Sequence, residues 1–259
     1  MDRHQPRKRF GQHFLHDPYV IDRIDNAIHL SSDDVVVEIG PGEGVLTGKL
    51  AGHCRQLHVV EIDRDLAHRL RDKYAGDRTV SVHEQDVLTF DLCAIDANQG
   101  AVRVVGNLPY NISTPILLHC LRQLPCVRDM HFMLQKEVVD RLAAQPGTKT
   151  YGRLSVIAQL LCEVEALFDV GPGAFRPPPK VWSSVVRLTP RATPLIALDK
   201  VAEVEQLTQL LFSQRRKTLR RILNQRLTAE QLQAIGIDAM RRPETLALEE
   251  IVDLAAILR

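Results

Sequence analysis

The sequence predicts an α/β fold: a large domain on a mostly parallel seven-stranded sheet over residues 1–190, a linker at 191–199, and a small helical domain at 200–259. Three observations lead to this. Seven short, largely apolar runs read as strands: Val35 to Ile39, which reads as buried, then Leu57 to Ile62, Val80 to Val82, Ala101 to Val105, Met130 to Leu134, Val164 to Val170 and Val185 to Leu188. A glycine turn, Gly40-Pro41-Gly42-Glu43-Gly44, follows the first run directly and opens a helix. Beyond a polar, Pro-flanked stretch from Thr189 to Asp199, the apolar period is helical only.

Taken in order, a basic arm (1–16) ends in the apolar, glycine-containing segment Phe10 to Leu15, which reads as packed rather than loose. Apolar positions at Val20, Ile21, Ile24 and Ile28 predict a helix over Pro18 to Ile28. The strand Val35 to Ile39 and its glycine turn lead to a helix through Leu50. The next strand ends in Glu61 and Asp63, about twenty residues after the glycines, which is the spacing of a Rossmann-like nucleoside site. The third strand leads to Glu84-Gln85-Asp86, and the fourth ends in Asn107-Leu108-Pro109-Tyr110. Ser113-Thr114-Pro115 reads as a helix start. Helices are expected at Glu137 to Ala144 and Leu154 to Cys162, and the Pro-rich loop Gly171 to Lys180 precedes a closing edge strand, Val185 to Leu188. Val201 to Phe212, Leu219 to Leu227 and Leu246 to Leu258 supply the helical domain.

Composition excludes several classes. With 45% hydrophobic and 25% charged residues, the chain is ordinary globular protein. It has no run near the roughly 18 apolar residues of a membrane span, and its amino end lacks the apolar core of a secretory signal. A cytoplasmic monomer with no membrane contact is expected. Five cysteines, at 54, 93, 120, 126 and 162, show no Cys-x-x-Cys pair, so reduced core thiols are expected and no metal site. Net charge is only +1, but its distribution is uneven. Arg3, Arg7, Lys8 and Arg9 crowd the first ten residues. Arg215, Arg216, Lys217, Arg220, Arg221 and Arg226 lie in an acid-free stretch, read as one basic helix. Two such runs in a near-neutral chain favour a polyanion partner, with Arg215, Arg216, Lys217, Arg220 and Arg221 as the nucleic-acid contacts.

Two ligands compete for the glycine turn. A nicotinamide fingerprint requires Gly or Ala at position 45, where the chain has Val45. Gly-x-Gly-x-Gly preceded by Glu38 instead favours S-adenosylmethionine, which has no pyrophosphate to cradle. Glu61 is placed to chelate ribose hydroxyls, and Asp86 either to accept from an adenine amine or simply to cap a turn. Asn107 to Tyr110 suit the holding of a planar aromatic amine, whose lone pair is shared with its ring. If the Asn107 side-chain oxygen and the Leu108 carbonyl each accept one N–H, the nitrogen can leave the ring plane. Pro109 aims that carbonyl, and Tyr110 can stack on the base.

The chain resembles, over nearly its whole length, the ribosomal RNA adenine dimethyltransferases. The motifs that carry the resemblance are Phe10-Gly-Gln-His-Phe-Leu15, Val37-Glu-Ile-Gly-Pro-Gly-Glu-Gly44, Val60-Glu-Ile-Asp63, Gln85-Asp86, Gly106-Asn-Leu-Pro-Tyr-Asn-Ile-Ser113, Leu134-Gln-Lys-Glu137 and Phe175-Arg-Pro-Pro-Pro-Lys180. The resemblance implies a class I methyltransferase domain. It also implies transfer of two methyl groups to each of two adjacent adenosines near the 3′ end of 16S rRNA, during small-subunit maturation. It assigns cofactor contacts to His13, Leu15, Gly40, Glu61, Asp86 and Asn107, the amine clamp to Asn107, Leu108 and Tyr110, and a second stacking ring to Phe175. At position 13 the family usually has Asn. Two rivals share these features: a large-subunit rRNA methyltransferase of the antibiotic-resistance type, and an assembly factor acting mainly by binding.

Overall fold

The computed structural model describes residues 12–95 and 102–258. Most of the basic arm, including Arg3, Arg7, Lys8 and Arg9, lies outside the described residues.

The first of two compact units, residues 1–139 and 165–189, holds the sheet. Its elements are β1 (Phe14–Leu15), α1 (Pro18–Ile28), β2 (Val35–Ile39), α2 (Thr47–Leu50), β3 (Gln56–Glu61), α3 (Arg64–Lys73), β4 (Val80–Glu84), β5 (Val102–Asn107), α4 (Ser113–Leu121), β6 (Val127–Gln135), the start of α5 (Lys136–Leu142), most of β7 (Cys162–Val170), β8 (Phe175–Arg176) and β9 (Ser183–Pro190). Seven strands pair in the order β4-β3-β2-β5-β6-β9-β7. The first five are parallel, and β9 runs antiparallel to β6. All five residues of β2 are buried, as a strand covered on both faces requires.

Local chemistry sets the helix ends. Asp17 caps α1 by accepting from the Tyr19 and Val20 amides, Pro18 sits in its first turn, and the buried face is Val20, Ile21, Ile24 and Ile28. Asp63 caps α3, a helix the apolar pattern hides because only Leu66, Ala67 and Leu70 are buried in it.

The expected edge strand is not at an edge. Residues 183–186 of β9 are buried between β6 and β7, whereas β7 alternates with exposed positions, as an outer strand does. The expectation of reduced thiols fails at one pair. Cys93 and Cys126 form a disulfide, their Cα atoms 5.1 Å apart and within bridging range, while Cys54, Cys120 and Cys162 are free and buried.

The second unit, residues 140–164 and 190–259, contains α6 (Arg153–Leu161), α7 (Val201–Ser213), α8 (Leu219–Leu223), α9 (Ala229–Ala234) and α10 (Leu248–Ile257). Residues 140–164 group with the carboxyl-terminal helices rather than with the sheet, a different division from the one expected at 190. The reason is the apolar face of α6, which packs on α7 and α10. Beside it the Tyr151 ring, wholly buried, meets Phe212 edge-on at 6.0 Å. The basic stretch is not one helix: Arg215, Arg216 and Lys217 lie in a turn, and only Arg220 and Arg221 are on the five-residue α8. Among the described residues no helix is long and apolar enough to cross a membrane.

Candidate active site

The parallel strands reverse their order of addition between β2 and β5, and a crevice opens beyond their carboxyl ends. A cavity of about 290 Å³ fills it, lined by the ends of β2, β3, β4 and β5 and by the strand β1 segment. The glycine turn forms one wall. Gly42 has φ +57, and a Cβ there would stand 2.9 Å from the Phe14 ring, so this position requires glycine twice over.

β3, β4 and β5 each deliver one polar group at or just beyond their ends. Glu61, at the end of β3, is 6% exposed and accepts from the Asp63 amide at 2.9 Å and the Gly42 amide at 3.3 Å. Burial pushes its carboxyl up to about 7, against the lowering effect of those amides. Asp86 follows β4. Its Oδ1 accepts from the Leu88 amide at 2.9 Å, so it is a cap and a cavity residue at once, with Oδ2 left over. Ile62 and Leu88, 48% and 37% exposed, stand beside these acids as apolar rim, which large aliphatics next to strand-end acids could have signalled.

Asn107 ends β5. Its Nδ2 donates to the His13 carbonyl at 3.1 Å, and since a carbonyl can only accept, the amide orientation is fixed and Oδ1 is the atom left for a ligand. The Leu108 amide donates to the Met133 carbonyl at 3.1 Å, and the side chain is buried. The Tyr110 hydroxyl shares a 2.5 Å hydrogen bond with Ser183, and burial raises its pKa. The His13 ring stacks on the Tyr110 ring with centroids 5.5 Å apart. His13 Nδ1 lies 2.7 Å from the Pro177 carbonyl and must carry the proton there, so the neutral ring can only accept through Nε2.

Behind the turn, Glu38 is 2% exposed and accepts from the Thr47 hydroxyl at 2.6 Å. Burial raises its pKa to about 7.

The cavity thus brings together His13, Gly40, Glu61, Asp86, Asn107, Leu108 and Tyr110. It does not include Leu15 or Phe175. These two pair across β1 and β8, and both side chains, 4% and 2% exposed, are packed in the apolar core. Phe175 therefore offers no ring face to the cavity here. The basic residues of the carboxyl-terminal stretch belong to the second unit. Among the described residues no cluster of His, Cys, Asp or Glu could hold a metal ion.

The profile of the ribosomal RNA adenine dimethylase family matches residues 3–259. Two curated relatives, each named ribosomal RNA small subunit methyltransferase A, come from Pseudomonas fluorescens and Hahella chejuensis. Both are 52% identical, over 97% of this chain and 93% and 92% of their own lengths respectively. Among solved structures, the 23S rRNA methyltransferase ErmE is 30% identical with a TM-score of 0.72, and a dimethyladenosine transferase from Plasmodium falciparum is 25% identical with a TM-score of 0.79. Each comparison covers 95% of this chain and 99% of the other. The chain belongs to the ribosomal RNA adenine dimethylase family.

Proposed function

We propose that this enzyme transfers methyl groups from S-adenosylmethionine to the exocyclic amines of two adjacent adenosines near the 3′ end of 16S rRNA, two to each, during small-subunit maturation in the cytoplasm, acting as a monomer. The observation that carries the reading is the Asn107 amide. Its nitrogen is committed to the His13 carbonyl, so an acceptor oxygen stands at the end of β5, on the cavity wall.

The residues fit the cofactor. Gly42 leaves a cradle that a Cβ would fill, Glu61 retains acceptor capacity for a pair of ribose hydroxyls, and Asp86 Oδ2 is spare for an adenine amine. The cofactor supplies a methyl group on a positively charged sulfur, a strong electrophile that needs no activation by the protein. Asn107 Oδ1 and the Leu108 carbonyl would then accept the two amine hydrogens and turn the nitrogen lone pair out of conjugation with the ring. Tyr110, anchored by Ser183, holds the base in place. No general base is required, because a methylated ammonium on an aromatic ring loses its proton readily to water. The work of the site is orientation in a desolvated slot, and the target adenine must leave its stack to enter it.

The large-subunit reading is disfavoured by the 52% identity to relatives named for the small subunit, against 30% for the 23S enzyme. A purely binding role is disfavoured by the intact set of Glu61, Asp86 and Asn107. The test uses small subunits from cells lacking the gene, incubated with the protein and S-adenosylmethionine, then digested and analysed by mass spectrometry. Two adjacent dimethyladenosines in 16S rRNA are expected. Methylation of 23S rRNA instead, or of neither RNA, would overturn the reading.

A further inference from the structure

Trp182 is the chain's one tryptophan, and it is 56% exposed. It is nevertheless held at both ends. Its carbonyl accepts from the Lys136 amide at 2.9 Å, beside the point where β9 begins its pairing with β6. Its ring lies over Gly171, where a Cβ would stand 3.7 Å and 3.8 Å from two ring carbons. The following residue, Ser183, is buried and bonds the Tyr110 hydroxyl. An exposed indole with only a glycine on its near side therefore stands one residue from Ser183, which bonds Tyr110, at the carboxyl edge of the parallel strands. Val181 beside it is 44% exposed. Arg176 and Lys180, both exposed, make no ion pair among the described residues, whereas Lys136 pairs with Asp169 at 3.1 Å.

An exposed indole forgoes burial that would stabilise the fold, and one whose backbone is fixed where a strand begins loses less entropy than a loose loop residue when a flat ligand covers it. The proposed reaction creates such a ligand. When the target adenine leaves its stack, the neighbouring base loses a partner, and an indole beside the clamp can replace it. The exposed cations Arg176 and Lys180, six and two residues before Trp182 in the chain, suit the phosphates of the same strand. We propose that Trp182 is a stacking platform for the nucleotide next to the target adenosine, with Arg176 and Lys180 as its phosphate contacts. The occupant is single-stranded RNA. This rests on the reading of the chain as an RNA adenine methyltransferase.

The test compares wild type, Trp182→Ala and Trp182→Phe on undermethylated small subunits at saturating S-adenosylmethionine. Trp182→Ala should raise KM for the subunit by about 5-fold to 100-fold, with kcat changing less, and Trp182→Phe should recover most of the loss. Because the indole is unique, its fluorescence should also be quenched when a single-stranded oligonucleotide carrying two adjacent adenosines binds, as followed independently by anisotropy of the labelled RNA. Unchanged KM in Trp182→Ala, or bound oligonucleotide with unquenched indole, overturns the proposal. So does a Trp182→Ala variant whose only change is in self-association measured by sedimentation, which would assign the surface to a second copy. A wild type that methylates no adenosine would instead defeat the functional reading, so the two failures are distinguishable.

Discussion

In the proposed reaction Asn107 does two jobs with one amide: its nitrogen donates to the His13 carbonyl beside β1, and its oxygen would accept from the substrate amine. Asn107→Ala should therefore lower the rate at saturating cofactor by roughly 30-fold to 1000-fold, the equivalent of about 2 to 4 kcal/mol of barrier, with little change in folding. Asn107→Asp keeps an acceptor for the amine but turns a second oxygen towards the His13 carbonyl, where only a donor fits, so it should weaken cofactor binding as well. Calorimetry with S-adenosylmethionine beside single-turnover rates separates the two jobs. An Asn107→Ala enzyme at the wild-type rate would move amine activation elsewhere. Glu38 bears on stability. Burial raises its pKa from 4.5 to about 7, so between those values the folded chain binds more protons than the unfolded one. Stability from this group is present below pH 4.5 and is lost as pH rises through about 7, by roughly 3 kcal/mol. Glu38→Gln, which can still accept from Thr47, removes that loss. Urea unfolding should show the variant gaining on wild type from pH 5 to pH 7.5, and a difference independent of pH would contradict this.

At the scale of elements, the crevice depends on how closely β2 and β5 approach at their carboxyl ends. A Cβ on Gly106 would lie 2.6 Å from the Ile39 carbonyl oxygen, a backbone atom of the neighbouring strand that cannot swing away. Gly106→Ala should force the strands apart, destabilise the chain by about 1 to 3 kcal/mol and weaken cofactor binding, whereas Gly76→Ala, with nothing within 4 Å, should do neither. Equal unfolding midpoints for the two variants would show the strands to be more pliable than this contact implies. The five parallel strands and the glycine turn were legible because each strand is a short, mostly apolar run followed at its carboxyl end by glycines or by acid and amide side chains. What was not legible depends on distant partners. Arg103 sits in the centre of the sheet, 5% exposed, because it donates to Asp129 and Asp34 and to the Ile28 and His29 carbonyls, none of them near it in sequence. The position of β9 inside the sheet, the Cys93–Cys126 bridge and the burial of Phe175 are pairings of the same kind. At the site, residue types at strand ends named the polar groups, but the His13 stack on Tyr110 could not be read from a segment 97 residues away from its partner, the separation of positions 13 and 110.

For the whole molecule, a net charge of +1 conceals a basic patch whose members are not equivalent. Arg215 is half-buried, donates to the Lys149 carbonyl at 2.8 Å and faces Glu244 at 3.5 Å, so it holds the second unit together. Hydrogen bonds from its own backbone and from Thr228 hold the Glu230 carboxyl below its usual value, with Arg220 adding a smaller pull, so Arg220 has an acid in its neighbourhood. Arg216, Lys217 and Arg221 are exposed and make no ion pair among the described residues, which makes them the proposed phosphate contacts. Each phosphate neutralised by a cation releases counterions, so the logarithm of affinity falls linearly with the logarithm of salt, by roughly 0.7 to 0.9 per contact. Reversing Arg216, Lys217 and Arg221 to Glu together should therefore weaken binding to the small subunit and flatten the salt slope by about 2 to 3, while cofactor affinity, set in the other unit, stays as it was. Arg215→Glu should behave differently, lowering the unfolding midpoint because it removes a contact internal to the helical unit. Filter binding of small subunits across a range of potassium concentrations measures the slope directly, and a triple variant with the wild-type slope would show this face to be only a solvated surface.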